Sequence, residues 1–255
     1  MAIVYAHRGA CFELPDNTLP SFELALKLGA DAIETDAHMT RDGHVVLAHD
    51  PGGAHTSGID RPMSSLSLEE LRLWDVGTKF VPRRPGLFRT NERYRVPTLE
   101  ETLATFPDTY FNIDAKQTEP DMIPALLRVI RAAKAESRVR IASFSTQNLA
   151  RVRATYEGET GLASSEVARF MLLPKLALRW LRPGGDAAQV PRRAYGIVFA
   201  SARTIARLHE LGLRVDFWTI DDADEAARLV ALGADGIMTD DPRTVCAGLG
   251  AQSSS

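Results

Sequence analysis

The side chains with the most chemical capacity are concentrated in residues 31–50, which read D-A-I-E-T-D-A-H-M-T-R-D-G-H-V-V-L-A-H-D. Alternation along an extended segment puts Glu34, Asp36, His38 and Thr40 on one face. Arg41-Asp42-Gly43-His44 reads as a type I′ hairpin turn, because Asp-Gly accepts the positive φ that this turn demands. With Asp42 and Gly43 as the central pair, counting back sets Asp36 opposite His49; a one-residue slip sets Glu34 there instead. Directly opposed residues share a face, so the turn delivers two carboxylates and an imidazole to one patch, with His38 beside them. An isolated patch of this kind reads as the wet side of a ribbon. Here the flanks, residues 30–33 and 45–48, are apolar enough to be buried, and buried carboxylates need a cation. A hard divalent ion meets that need.

A second group lies on residues 111–116, where Asn112, Asp114 and Lys116 occupy alternate positions of one strand. Facing a barrel mouth, Asp114 becomes a third carboxylate for the ion held by Glu34 and Asp36, an oxygen-rich set that suits Mg2+ or Ca2+ better than zinc. Lys116 then neutralises an anionic substrate. His7 and His49 fall at strand ends flanking that ion. Two imidazoles with Arg8 and Lys116 form a set fitted to phosphodiester cleavage: an acid, a base, and fixed positive charge for the phosphoryl oxygens. His44, His55 and His209 have no such company.

The elements that must position these groups alternate regularly. A short strand at 3–6 ends in His7-Arg8-Gly9, and Asn17-Thr18 caps a helix that ends at Gly29. Leu28-Gly29-Ala30-Asp31-Ala32-Ile33 recurs as Leu232-Gly233-Ala234-Asp235-Gly236-Ile237, which suggests repeated βα units. Residues 51–98, with several Gly and Pro and one short helical stretch at 67–74, read as an insertion after the hairpin. Further strands are expected at 110–116, 139–144, 160–164, 195–199, 214–220 and 236–239, with helices between them. Eight core strands in 255 residues give an α/β fold, a (β/α)8 TIM barrel with a small insertion after the second strand, as one domain over 1–255. The dinucleotide-binding glycine turn of a doubly wound sheet is absent after the first strand. In a barrel the chemistry gathers at the carboxyl ends of the strands, which is where His7, Arg8, Glu34, Asp36, Asp114, Lys116 and Trp218 fall.

Composition narrows the partners. A net charge of -3 with both signs interspersed gives no basic field for nucleic acid. No apolar run is long enough for a membrane span, no secretion leader is visible, and Cys11 and Cys246 make no disulfide framework. A cytoplasmic, reduced protein with a small-molecule or lipid-like substrate is expected.

Several of these motifs occur together in one family. His7-Arg8-Gly9, Pro15-Asp16-Asn17-Thr18, Glu34-Thr35-Asp36, Thr40-Arg41-Asp42-Gly43, His49-Asp50, Ile113-Asp114-Ala115-Lys116, Phe217-Trp218-Thr219 and Gly236-Ile237-Met238-Thr239-Asp240 resemble, in order, the motifs of the glycerophosphodiester phosphodiesterase family. The resemblance runs from His7 to Pro242 and is most specific in the first fifty residues. It implies a (β/α)8 barrel with an inserted subdomain at about 51–98, and metal-dependent hydrolysis of a glycerophosphodiester to sn-glycerol 3-phosphate and an alcohol. His7 and His49 would be the acid/base pair, Arg8 and Lys116 the phosphate ligands, Glu34, Asp36 and Asp114 the metal ligands, and Trp218 an aromatic wall for glycerol or leaving group. Two positions depart from the family pattern, which usually has Glu where Asp16 and Asp114 stand; the shorter Asp114 bears on metal preference.

Residues 167–182 are apolar with interspersed basic side chains. They read as an outer barrel helix broken at Pro174. The sharper alternative is a lipid-facing lip in which exposed Phe170, Leu173 and Trp180 admit lysophospholipids, as in a lysophospholipase D. A toxin-type phospholipase D would favour a signal peptide and tied loops, and a non-catalytic binding module would be expected to lose some of the acid, base and phosphate-binding residues; neither pattern fits.

Overall fold

The computed structural model describes residues 2–89, 91–174, 180, 182–194 and 196–252, without the side chain of residue 252. Its strands are β1 (Ile3–His7), β2 (Ala32–Met39), β3 (Val45–Leu47), β4 (Gly52–Gly53), β5 (Ile59–Pro62), β6 (Tyr110–Ala115), β7 (Val139–Ala142), β8 (Ala187–Val190), β9 (Arg193–Ala194), β10 (Ile197–Val198), β11 (Arg214–Phe217) and β12 (Gly236–Thr239). Seven run side by side in the order β7-β6-β2-β1-β12-β11-β8, each neighbouring pair parallel. Thr160 and Gly161 join the two ends of this sheet, bridging Ile141 of β7 and Ala187 of β8, both in parallel. Gly161 N donates to Ile141 O at 2.9 Å, and Asp186 N to Thr160 O at 2.7 Å. That two-residue stave closes the (β/α)8 barrel.

Alternation decides which side of each strand does what. Outward-facing Ala6, Ile33, Phe111 and Ile141 pack with Phe22, Leu103 and Leu126 of the covering helices Leu19–Lys27, Leu99–Thr105 and Ile123–Ala132. Ala188, Val190, Val215, Phe217 and Ile237 do the same with Ile205, Leu208 and Leu229 from Ala202–His209 and Ala223–Ala231. The residues in between face the barrel interior, and many are polar.

The duplicated Leu-Gly-Ala-Asp junction has one structural meaning in both copies. Gly29 and Gly233 adopt φ +97° and +103° at helix ends, a conformation that glycine takes without steric cost. The next aspartate but one then braces the preceding strand: Asp31 accepts from Val4 N and Asp235 from Val215 N, each at 2.8 Å. Asp186 repeats the device on Thr160 N at 2.8 Å.

That third copy corrects the expected strand at 195–199. The stave is Ala187–Val190, directly after Asp186; Ile197 and Val198 instead pair with Ala194 and Arg193 in a two-stranded ribbon off the barrel. The expected strands at 160–164 and 214–220 are also shorter, since bridging stops at Gly161 and Phe217.

The hairpin differs as well. β2 and β3 pair with Ala37 opposite Leu47 and His38 opposite Val46, so Asp36 faces Ala48, whose N–H donates to Asp36 O at 3.0 Å. The turn is a three-residue loop, residues 41–43, with Gly43 at φ +87°, the next commonest hairpin geometry after two-residue turns. Its polar groups are claimed by neighbours: Asp42 accepts from Leu68 N at 3.1 Å, and Arg41 donates to Ser65 O at 2.8 Å and Glu70 at 3.0 Å. Both tie the hairpin to residues 51–98, which carry the β4–β5 ribbon and a one-turn helix, Leu68–Leu71, with a Ser67–Glu70 capping box. Met63, Leu66, Leu71, Trp74, Tyr94 and Val96 close an apolar cluster over Val46 and Leu14.

Deep in the barrel, Arg140 and Asp216 pair at 2.7 Å with both side chains 0% exposed. Tyr5 Oη and Asn112 Oδ1 accept two further guanidinium hydrogen bonds, at 2.8 and 2.9 Å. Gly236 is required beside them, because a Cβ there would lie 2.4 Å from Asp216 Oδ1. Asp216→Ala leaves an uncompensated buried charge, so urea denaturation of that variant is expected to show a loss of about 3–5 kcal/mol; a loss below about 1 kcal/mol would mean that the pair is dispensable to the barrel.

Candidate active site

The register of the parallel strands stacks the interior groups in layers. His7 lies beside Glu34, Glu34 beside Asn112, and Asn112 beside Arg140; one layer nearer the mouth, Asp36 lies beside Asp114. His7 stands at the end of β1, where the chain turns sharply through Arg8 (φ +61°) and Gly9 (φ +98°). A Cβ on Gly9 would meet Ser21 Oγ at 2.4 Å, so this turn lies flat on helix Leu19–Lys27 and swings Arg8 over the mouth. His49 arrives from the segment after β3.

All eight residues singled out in the sequence (His7, Arg8, Glu34, Asp36, His49, Asp114, Lys116 and Trp218) line one cavity of about 310 Å³. Asp36 is its electrostatic centre. Arg8 Nε lies 3.0 Å from Asp36 Oδ2, as an ion pair without hydrogen-bond alignment, and Lys116 Nζ lies 3.0 Å from Oδ1. Burial raises the Asp36 carboxyl, but Arg8 and then Lys116 outweigh it and hold it below the usual carboxylate range. Lys116 also contacts Asp114 Oδ2 at 2.8 Å. Asp114 moves the other way, because its burial exceeds the help from Lys116. Glu34 is pushed up to about 8, first by burial and then by the Asp36 charge.

Each imidazole has a carboxylate on Nδ1. His7 Nδ1 lies 2.7 Å from Asp240 Oδ1, and its Nε2 lies 3.7 Å from Glu34 Oε2. Burial lowers the His7 pKa, but Glu34 and the Asp240 hydrogen bond outweigh it, for a net rise. His49 Nδ1 lies 2.9 Å from Asp50 Oδ1. His38 does not line the cavity: it is buried, its Nε2 lies 3.2 Å from the His49 carbonyl, and burial depresses its pKa. It therefore serves as a neutral donor that fixes the His49 backbone.

Whether the acidic set suits a cation can be tested on the unsatisfied atoms. Glu34 Oε2 and Asp114 Oδ1 are buried with no hydrogen-bond partner. Oxygens in that condition are costly to leave bare, and a hard cation would satisfy both. Asp36 is engaged by Arg8 and Lys116, and among the described residues no three His, Cys, Asp or Glu side chains form a ready ligand cluster. The donor chemistry fits a divalent ion, while the three-carboxylate grouping expected from sequence is not assembled around a single point.

Sequence reasoning gave no role to Asp240 or Asp50 and read Asn17-Thr18 as a helix cap, whereas Thr18 stands at the cap position without a side-chain cap bond and Asn17 turns to the site. Asn17, at φ +53°, accepts from Thr35 Oγ1 at 2.6 Å and donates to Asp36 Oδ2 at 3.3 Å. A polar residue directly after a strand or a histidine was the available signal for the first two. Phe144, 60% exposed, meets Trp218 edge-on at 6.1 Å and closes one side of the mouth. The expected apolar lip is corrected in part: Phe170 is buried at 5% exposure and Leu173 is half-buried, while Leu172 and Trp180 are exposed. Phe170 sits inward because it joins the core under helix Ala202–His209, whose Arg207 Nε donates to its carbonyl at 3.0 Å. Residues 175–179 and 181 of that stretch lie outside the described residues.

A relative from Caldanaerobacter subterraneus subsp. tengcongensis, named glycerophosphodiester phosphodiesterase, is 31% identical, covering 95% of this chain and 96% of its own. A Homo sapiens protein named Lysophospholipase D GDPD1 is 25% identical over 93% of this chain and 82% of its own. Among solved structures, a putative glycerophosphoryl diester phosphodiesterase from Silicibacter pomeroyi superimposes with a TM-score of 0.81 at 24% identity, covering 99% of this chain and 94% of that one. An Oleispira antarctica phosphodiesterase in complex with the product sn-glycerol-3-phosphate gives 0.78 at 22% identity, covering 98% and 97%. A family profile described as "Glycerophosphoryl diester phosphodiesterase family" matches residues 7–244. The chain belongs to the glycerophosphoryl diester phosphodiesterase family.

Proposed function

We propose that this phosphoric diester hydrolase cleaves glycerophosphodiesters to sn-glycerol 3-phosphate and an alcohol, with His7 and His49 as its acid and base, on a single barrel domain carrying an inserted subdomain at about 51–98. One observation carries the reading: two imidazoles border the same cavity, each with Nδ1 on a carboxylate, leaving Nε2 as the atom that exchanges a proton. Arg8 and Lys116 line that cavity between them and offer fixed positive charge to the phosphoryl oxygens. One imidazole takes the proton of the attacking hydroxyl, either water, which gives sn-glycerol 3-phosphate directly, or the neighbouring glycerol hydroxyl, which gives a cyclic glycerol phosphate that a water then opens with the two imidazoles exchanging roles. The other gives a proton to the departing alkoxide as its bond to phosphorus breaks. Asp240 and Asp50 hold the imidazoles in the tautomer that this exchange requires, as a buried aspartate does in hydrolase triads. Trp218 and Phe144 wall the mouth and exclude water.

Glu34 and Asp114, through their bare oxygens, and Asp36, shared with Arg8 and Lys116, would hold a divalent ion, Mg2+ or Ca2+, which when bound supplies Lewis-acid stabilisation of charge on the phosphoryl oxygens. A lysophospholipid is the second substrate reading, favoured by exposed Leu172 and Trp180 and weakened by the burial of Phe170. Among the described residues no helix is long and apolar enough to cross a membrane.

His7→Ala and His49→Ala are each expected to lower kcat by about 10²- to 10⁴-fold with an unchanged circular dichroism melt; near-normal turnover in either rejects its role. Asp240→Asn should lower kcat by about 10²-fold or more while KM moves little, because the amide stabilises the wrong imidazole tautomer; a raised KM with kcat unchanged would point to binding instead. Chelation should abolish turnover, with Mg2+ or Ca2+ restoring it. Asp114→Glu, which extends the donor by one methylene, should change which of the two ions restores more activity, and an identical ion preference would remove Asp114 from the ligand set.

A further inference from the structure

Trp218 and Thr219 have two sides. On one lies the catalytic cavity; on the other is an open trough of about 690 Å³, lined by Pro191, Arg192, Arg193, Val198, Glu225 and Arg228 together with the same Trp218 and Thr219. The charge balance reverses across this wall. The catalytic side sets three carboxylates, Glu34, Asp36 and Asp114, against Arg8 and Lys116, whereas the trough, among the described residues, presents three guanidinium groups against one carboxylate. That carboxylate is already used: Glu225 takes Arg228 through two hydrogen bonds at 2.7 and 2.8 Å. Arg192 stands 3.9 Å from Glu225 with its side chain 63% exposed. Arg193 is exposed and forms no side-chain bond with any described residue. Asp222, at the start of the neighbouring helix, spends its carboxylate on Glu225 N at 2.8 Å and does not line the trough.

The position follows from barrel topology. Pro191, Arg192 and Arg193 follow the end of β8 and Trp218 follows the end of β11, so all lie on the mouth face where the substrate must enter. For the alcohol of a diester whose phosphate sits between Arg8 and Lys116 to reach this trough, with its about two uncompensated positive charges, it must pass Trp218 and Thr219, the two residues that line both cavities. We infer that this trough is a leaving-group subsite that selects glycerophosphodiesters whose alcohol carries a negative charge. The inference rests on the phosphodiesterase reading above and adds the chemical class of the released alcohol. Charges exposed in this way act over about 8–10 Å at physiological salt. Only a charge that enters the trough feels them, and the preference weakens as salt is added.

The test compares kcat/KM at low ionic strength for three glycerophosphodiesters: one whose alcohol bears a phosphate monoester, one releasing neutral glycerol, and one releasing cationic choline. The wild-type protein is expected to prefer the anionic over the cationic substrate by about tenfold, from two exposed charge contacts with the favoured ligand and their repulsion of the other. That ratio should fall to about threefold or less in 0.5 M NaCl, and likewise in Arg192→Ala/Arg193→Ala, with the change concentrated in KM. A wild-type ratio near one, a preference for choline, or a ratio that neither salt nor the double substitution alters overturns the inference. Turnover of none of the three substrates rejects instead the phosphodiesterase reading, and the inference falls with it.

Discussion

Closing a parallel sheet into a barrel leaves an interior that water barely reaches, and this chain fills that interior with charge. Arg140, Asp216, Glu34, Asp36 and Asp114 are all 5% exposed or less. Charges at that depth are tolerable only in pairs or with hydrogen-bond partners. Deeper in the barrel Arg140 and Asp216 meet directly at 2.7 Å, with Tyr5 and Asn112 taking further guanidinium protons, although Arg140 Nη1 and Asp216 Oδ1 keep no partner of their own. Nearer the mouth Asp36 has two cations, while Asp114 beside it and Glu34, level with Asn112 and Arg140, each keep a buried oxygen without a partner. Structure and chemistry are therefore stacked in one channel. The Arg140–Asp216 pair, which does not line the cavity, holds the barrel together, and the bare oxygens of Glu34 and Asp114, which do line it, are where a ligand gains most.

The segment after the hairpin links that interior to the rim. Its apolar cluster seats on Val46 and Leu14, the hairpin loop is held through Asp42 and Arg41, and Arg84 returns to the barrel with paired hydrogen bonds of 2.7 and 2.8 Å to Asp241. Asp241 neighbours Asp240, the partner of His7, and Asp240 N is itself fixed by Asp221 Oδ1 at 2.8 Å. The two imidazoles thus depend on different supports: His7 on the end of the last strand, His49 on the segment after β3 and on the buried His38.

Much of the site was legible because its residues sit at strand ends with a period of two, and opposed positions on parallel strands project together. His7, Glu34, Asp36, Asp114 and Lys116 could be read that way without coordinates. The strand 187–190 was not, because two alanines, a glutamine and a valine make a weak strand pattern; what marks it is Asp186, the third use of an aspartate brace already visible at Asp31 and Asp235. The hairpin register was misread for a different reason. Asp-Gly is compatible with both a two-residue and a three-residue loop, and the choice was made by Leu68 N, Ser65 O and Glu70, which are remote in the chain.

By itself the sequence determined the alternating βα order, the (β/α)8 barrel, and the set of acids, imidazoles and cations that its mouth would carry, since these follow from periodicity and residue type. Only the tertiary structure decided which oxygens are neutralised and which are left bare, that Asp240 and Asp50 rather than Glu34, Asp36 or Asp114 hold Nδ1 of the imidazoles, and that His38 does not line the cavity. Those outcomes depend on distances of a few ångströms between strands far apart in the chain. Electrostatic energies in a low-dielectric interior change steeply over such distances, whereas the order of residues along a strand does not encode them.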